Sequence, residues 1–284
     1  MRRRTVAMVT GMLLALALPG AAAGPLVAAH RGGALLWPEN SLLAFRNALT
    51  LGADLLETDV HLTADGEVVI VHDPTLDRTT TAQGAVRDTK LADLMSVRLK
   101  AADGTVTREH VPTLRELLDL MRPATARLLL EIKVGPGRQP YAGIEEKVLT
   151  RVREAGLADR VLIMAFEDDT LRRVRALDPG VRTVLLVSMR RAERAAARDI
   201  VRWVTAVGAA DLGIDHRALT SDVVAAARAA RVRVAAWTVN EAADIRRVIG
   251  LGVDVVISDR PDLAMREVGG VRDSPPKPPM DPTR

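Results

Sequence analysis

His30, Arg31, His72 and a closely spaced pair of carboxylates fall within the 44 residues 30–73. His30-Arg31-Gly32-Gly33 opens the stretch, Val71-His72-Asp73 closes it, and Pro38-Glu39-Asn40-Ser41 and Glu57-Thr58-Asp59-Val60 lie between. An imidazole titrates near pH 6.5 and can take or give a proton at neutral pH. Glu57 and Asp59, two apart on a strand, point to the same side. Glu131-Ile132-Lys133 repeats the arrangement at the end of a later apolar run. Carboxylates converging at neighbouring strand ends repel one another unless a cation binds, and an all-oxygen set suits Mg2+ or Ca2+ better than Zn2+. Metal-assisted phosphodiester cleavage asks for this combination. One group must accept a proton and another donate one, which supplies only about 10²–10⁴ in rate, so positive charge on the phosphoryl oxygens must supply most of the rest.

The candidate roles follow. His30 and His72 are the acid–base pair, and Glu57, Asp59 and Glu131 are the metal ligands. Arg31 and Lys133 are the phosphate contacts, and Trp237, at the end of a further apolar run, is a wall of the site, with core or rim packing as the alternative. His61 shares the parity of Asp59 but is read as already in the turn, a supporting neighbour at most; His110 and His216 are weaker still.

The elements that must position these residues alternate. Apolar runs at 26–29, 55–60, 128–132, 161–165, 183–187, 211–214, 232–237 and 254–257 read as eight buried parallel strands. Helical periodicity fits 41–51, 113–121, 141–155, 169–177, 191–207, 221–230, 241–249 and a short 262–268. Asn40-Ser41, Thr113 with Glu116, and Asn240 read as helix N-caps. Leu51-Gly52-Ala53-Asp54 is echoed by Leu251-Gly252-Val253-Asp254, each glycine ending a helix before a strand. The expected fold is an α/β (β/α)8 TIM barrel over 24–268, 245 residues against the ~250 usual for that fold. An open doubly wound sheet is the alternative, but no Gly-x-Gly-x-x-Gly follows any strand. One connection breaks the rhythm: about 50 residues, 61–112, separate the second strand from its helix. Loops of that length are usually functional or locally structured, and this one lies on the active-site side of a barrel and holds His72.

Both termini read as something other than barrel. Arg2, Arg3 and Arg4 precede a thirteen-residue apolar run, 6–18, and Ala21-Ala22-Ala23, the layout of a secretory signal at 1–23. The run is too short for a permanent membrane span, so no stable membrane anchor is expected and the mature chain should be exported, to periplasm or medium. Removing three arginines and no acids takes the net charge from +4 to +1 (37 basic, 36 acidic), so the formal excess of positive charge is no sign of nucleic-acid binding. With no cysteine, an exported protein depends on its core without disulfides. Residues 269–284 hold five of the 15 prolines and read as a disordered tail.

The motifs together resemble the glycerophosphodiester phosphodiesterase family. The resemblance runs through His30-Arg31-Gly32, Pro38-Glu39-Asn40-Ser41, Glu57-Thr58-Asp59-Val60, Val71-His72-Asp73, Arg78-Thr79-Thr80, Val111-Pro112-Thr113, Glu131-Ile132-Lys133, Trp237-Thr238-Val239-Asn240 and Ser258-Asp259-Arg260-Pro261. It implies a TIM barrel with a segment inserted after strand 2, and a divalent cation, Ca2+ or Mg2+. It implies hydrolysis of glycerophosphodiesters to an alcohol and glycerol 3-phosphate, through attack of a glycerol hydroxyl on phosphorus and opening of the cyclic phosphate by water. The same residues match the acid–base, metal-ligand and phosphate roles given above. Ala165-Phe166 departs from the family's usual Ser-Phe. A lysophospholipase D on the same barrel and a non-catalytic glycerophosphodiester binder are the alternative readings.

Overall fold

The structure, a computed structural model, describes residues 24–272. Among them are nine strands: β1 (Leu26–Ala29), β2 (Leu55–Leu62), β3 (Val68–Ile70), β4 (Arg127–Ile132), β5 (Val161–Ala165), β6 (Arg182–Val187), β7 (Asp211–Asp215), β8 (Arg233–Trp237) and β9 (Val255–Ser258). Eight are parallel, in the order β1-β9-β8-β7-β6-β5-β4-β2, and pairing of Ala28 with Leu55 and Ala29 with Leu56 closes the ring. The chain is a (β/α)8 barrel. The helices are α1 (Leu42–Leu51), α2 (Leu91–Leu94), α3 (Leu114–Met121), α4 (Ile144–Glu154), α5 (Asp168–Leu177), α6 (Met189–Ala192), α7 (Ala197–Ala206), α8 (Ser221–Ala229), α9 (Ala242–Leu251) and α10 (Pro261–Arg272). Among the described residues no helix is long and apolar enough to cross a membrane.

Strand parity sorts side chains into two cores. On β2, Leu56 and Val60 pack outward against Phe45, Leu114, Leu117 and Met121 of the helical layer. Leu55 packs inward with Ala28, Leu129, Met164, Leu186 and Ile257. Glu57, Asp59 and His61 share the parity of Leu55, so the sequence that fills the barrel also delivers carboxylates to its mouth. In register, Asp59 pairs with Glu131 across β2 and β4.

Helix ends follow local chemistry. Thr113 and Glu116 form a reciprocal capping box at α3 (Glu116 N to Thr113 Oγ1 3.2 Å, Thr113 N to Glu116 Oε2 2.8 Å). Thr113→Ala should lower stability by about 1 kcal/mol, read as a melting temperature about 2–4 °C lower, with turnover kept because α3 lies outside the barrel wall. Gly52 and Gly252 both take left-handed backbone and end α1 and α9. Each echoed aspartate then straps a neighbouring chain: Val27 N–H donates to Asp54 Oδ2 at 2.8 Å, and Val234 N–H to Asp254 Oδ2 at 2.7 Å.

The structure departs from the sequence reading in five places. β2 runs to Leu62, so His61 is still in the strand and not in the turn. The helix expected at 191–207 is two, because Arg191 folds back onto the Trp203 ring (4.9 Å) and the Asp168 carboxylate (3.1 Å), which outweighs the helix propensity of the alanine-rich link. Ser41 alone caps α1, accepting from Ala44 N, while Asn40 turns away at φ 56°. Asn240 caps nothing; Glu241 precedes α9 without a side-chain cap. Helix α10 continues to Arg272, past the expected boundary at 268. The segment 1–23 and the rest of the tail, 273–284, lie outside the described residues.

The connection from β2 to α3 is a folded insertion. Its β3 lies antiparallel on the end of β2. Val69, Val71, Leu76, Val86, Leu94, Val97, Leu99 and Val111 form a core of its own beside the barrel.

Candidate active site

β1 ends at Ala29, and His30, Arg31 and Gly32 make one 3-10 turn over its C-terminal end. Gly32 sits at φ 81°, and a Cβ there would stand 2.7 Å from the Cβ of Ala44 in α1. Glycine alone meets both demands. The turn aims the Arg31 N–H at Glu57 Oε2 (2.8 Å). It also sets the Arg31 guanidinium beside Glu39 (3.1 Å) and Asp59 (3.5 Å).

Glu57, Asp59 and Glu131 are all buried and offer oxygens within 4.8 Å of one another. Lys133 Nζ lies 2.9 Å from Glu131 and 3.4 Å from Asp59 Oδ1. Asn40, held by Thr58 (2.9 Å), donates to Asp59 Oδ2 (3.0 Å). Asp59 Oδ1 accepts no hydrogen bond among the described residues. That oxygen stands 3.4 Å from Lys133 Nζ and is flanked by two further carboxylates. The set is compatible with a divalent metal ion.

Both candidate histidines are tied at the same atom. His30 Nδ1 bonds Asp259 Oδ1 at 2.6 Å, and His72 Nδ1 bonds Asp73 Oδ1 at 2.6 Å. In each the other ring nitrogen, Nε2, makes no hydrogen bond among the described residues, and that of His30 stands 3.9 Å from Glu57 Oε2. Asp259 is itself fixed by Asn240 (2.8 Å). Asp73 is clamped by Arg78, which also takes both oxygens of Glu39 at 2.8 Å, so a chain of charges joins the insertion to the β1 turn.

Burial opposes charge throughout, and the neighbours decide the outcome. It pushes the Glu57 carboxyl up to about 8, against the pull of His30, and Glu131 up to about 7, against Lys133. Burial opposes the Asp59 carboxylate too, but Lys133, His72 and Arg31 outweigh it and hold Asp59 well below the usual range. His30 is raised despite burial, because Glu57 and Asp259 favour the imidazolium. Burial lowers His72, with Lys133 and Arg31 adding to it against Asp59.

His61 is fully buried, and burial pushes it down to about 4. As neutral imidazole it donates from Nε2 to the His72 carbonyl (3.1 Å) and accepts at Nδ1 from the Tyr141 hydroxyl (2.9 Å). It therefore holds the backbone that carries His72. His110 pairs with Glu116, and His216 with Arg247 and Asp244, away from the cleft.

The structure brings His30, Arg31, Glu57, His72, Glu131, Lys133 and Trp237 around one cleft of about 430 Å³, with Asp59 completing the acidic set. Met164, Phe166, Leu186 and Ile257 make its apolar side. Phe166 stands edge-on to Trp237 at 5.6 Å. Ala165, where the family usually has serine, points into the outer core. Sequence reasoning missed Asn40, Asp259, Asn240 and the apolar wall as parts of the site. Asp259 had a readable signal: Val255 and Ile257 face the barrel interior, so 259 continues their parity just as Asp59 continues that of Leu55 and Glu57.

Two aspartate-anchored histidines beside a buried acidic triad, at the C-terminal mouth of a closed barrel, define a TIM-barrel site whose parts suit metal-assisted phosphoryl transfer. The Glycerophosphoryl diester phosphodiesterase family model matches residues 30–263, and the chain belongs to that family. A glycerophosphodiester phosphodiesterase of Caldanaerobacter subterraneus is 34% identical over 246 residues, 86% of this chain and 97% of that protein. One from Bacillus subtilis is 32% identical over 256 residues, covering 84% of each. Among solved structures, an Oleispira antarctica phosphodiesterase in complex with the product sn-glycerol-3-phosphate superposes with a TM-score of 0.71 at 28% identity, covering 87% of this chain and 97% of that one.

Proposed function

We infer that the protein hydrolyses glycerophosphodiesters, the water-soluble diesters left when phospholipids lose their acyl chains, to an alcohol and glycerol 3-phosphate. One observation carries the reading: two histidines, each anchored at Nδ1 by an aspartate, open onto the same cleft as a buried acidic triad. The relatives named glycerophosphodiester phosphodiesterase and the product-bound neighbour support it.

The chain's own groups divide the work. One imidazole takes the proton of the attacking hydroxyl at Nε2, and the other gives a proton to the departing alcohol oxygen. After that half-reaction the two imidazoles have exchanged protonation states. Opening of the cyclic ester by water runs the same transfers in reverse and resets them. Arg31 and Lys133 offer positive charge to the phosphoryl oxygens, and the apolar wall excludes water from the carbon skeleton. Glu57, Asp59 and Glu131 would hold the cation, and an all-oxygen set of carboxylates favours Mg2+ or Ca2+. When bound, the cation supplies Lewis-acid stabilisation of charge building on the phosphate. The layout of residues 1–23 supports action after export from the cytoplasm.

The test is a product assay. With Mg2+ or Ca2+ present, glycerophosphocholine should yield choline and glycerol 3-phosphate in equal amounts. Cleavage of lysophosphatidylcholine but not of any deacylated diester would establish the lysophospholipase D reading instead. Binding without turnover would establish the non-catalytic one.

A further inference from the structure

A second, wider groove of about 950 Å³ meets the catalytic cleft at His30, Arg31 and Thr238, which line both. The cleft ends inward on Met164, Leu186 and Ile257, which belong to the packed barrel interior. A phosphodiester bound with one arm in that cleft must send the other arm outward, and the groove opens from the cleft at those three shared residues. Ala34 and Leu35 form one side of it, and Lys100, Ala101 and Ala102 of the insertion form another.

The charges along the groove are committed, with one exception. Arg31 and Arg78 are bound to Glu39, and Arg78 also to Asp73. Asp259 is bound to His30 and Asn240. Lys100 forms no ion pair among the described residues. Its backbone is well held: Lys100 N–H donates to the Thr79 carbonyl at 2.8 Å, Lys100 bridges Val106, and Ala101 N–H closes the turn on Thr105 at 2.8 Å. Leu99 beside it is buried in the insertion's core. An unspent cation on a fixed wall gives the groove a net preference for negative charge.

We propose that this groove is the subsite for the leaving alcohol, and that Lys100 makes it select head groups carrying an additional phosphate over neutral and cationic ones. The inference rests on the hydrolase reading above. Three substrates test it: glycerophosphocholine, glycerophosphoglycerol, and a glycerophosphodiester whose leaving glycerol bears a terminal phosphate. The readout is the ratio of kcat/KM on the phosphate-bearing substrate to kcat/KM on the neutral one, at low salt. Lys100→Ala should lower the ratio about two- to fivefold, the scale of one partly exposed ion pair. Lys100→Glu should lower it further and raise the relative rate on glycerophosphocholine. Lys90→Ala, on the insertion but outside the groove, controls for long-range steering and should leave the ratio in place. Turnover with the ratio unchanged in both Lys100 variants, or lowered equally by Lys90→Ala, would overturn the subsite while leaving the hydrolase standing. No turnover by wild type on any of the three would overturn both.

Discussion

His30→Ala and His72→Ala should each lower turnover of a glycerophosphodiester by about 10²–10⁴-fold, the range for loss of a proton-transfer group. Both proteins should fold. The two side chains are 15% and 29% exposed, so neither deletion opens a closed cavity. Their anchors keep other partners: Asp259 retains Asn240, and Asp73 retains Arg78. Melting temperatures should therefore move by no more than a few degrees. The double variant should be far less impaired than the product of the single losses, because the two groups act in one proton cycle. A substrate with an acidic leaving alcohol, such as a p-nitrophenyl ester, needs little protonation. It should rescue only the variant lacking the acid and so assign the roles. Near wild-type turnover in both alanine variants would rule the pair out.

The second large effect concerns the triad without its cation. Metal-free protein should lose stability as pH rises between about 6.5 and 8. Glu57 is pushed up to about 8 and Glu131 to about 7, from an ordinary 4.5. A folded-state pKa above the unfolded one means that the native protein holds protons the unfolded chain has released. That contribution is complete below about 4.5 and is lost as pH passes through 7 to 8. His61, lowered to about 4, acts in the opposite sense, its contribution growing as pH rises from about 4 to 6.5 and then flattening. The window above 6.5 is thus left to the carboxylates, with raised His30 adding in the same direction. A bound cation takes the place of those protons. At about 100 times its Kd it should add about 2.7 kcal/mol and flatten the slope. Chelation should abolish turnover, and Mg2+ or Ca2+ should restore it. Urea unfolding at pH 6.5, 7 and 8, with chelator and with each cation, reads the stability, and a turnover assay under the same conditions reads the activity. A flat metal-free profile would contradict the electrostatic account, and full turnover after exhaustive chelation, with no metal found by elemental analysis, would contradict the metal site.

The barrel was legible because its strands are covered on both faces, which writes them as short unbroken apolar runs. Glu57 and Asp59 were legible because period two places them on one side, and the register that sets Glu131 beside Asp59 fits that reading. What escaped was whatever depends on the return of the chain. Asn40 looks like a helix cap from its neighbours, and only folding brings it to Asp59, 19 residues on. Arg78 reaches Glu39 across 39 residues, and Asp259 reaches His30 across 229. Such pairs have no local period to betray them. The break between α6 and α7 was hidden for a related reason: its cause, the Arg191 contacts to Asp168 and Trp203, is tertiary.

The insertion's separate core has a consequence for how this enzyme fails. Eight buried aliphatic side chains hold that segment together, against the much larger sets that hold the barrel to its helices. Cooperative units of unequal size open with unequal free energies. The insertion carries His72 and the Arg78 clamp, while the acidic triad belongs to the barrel. Amides of residues 69–111 should then exchange with deuterated solvent before those of the barrel strands. On warming, the enzyme should fall silent while its barrel is still folded, and cooling from that state should bring activity back without a global refolding step.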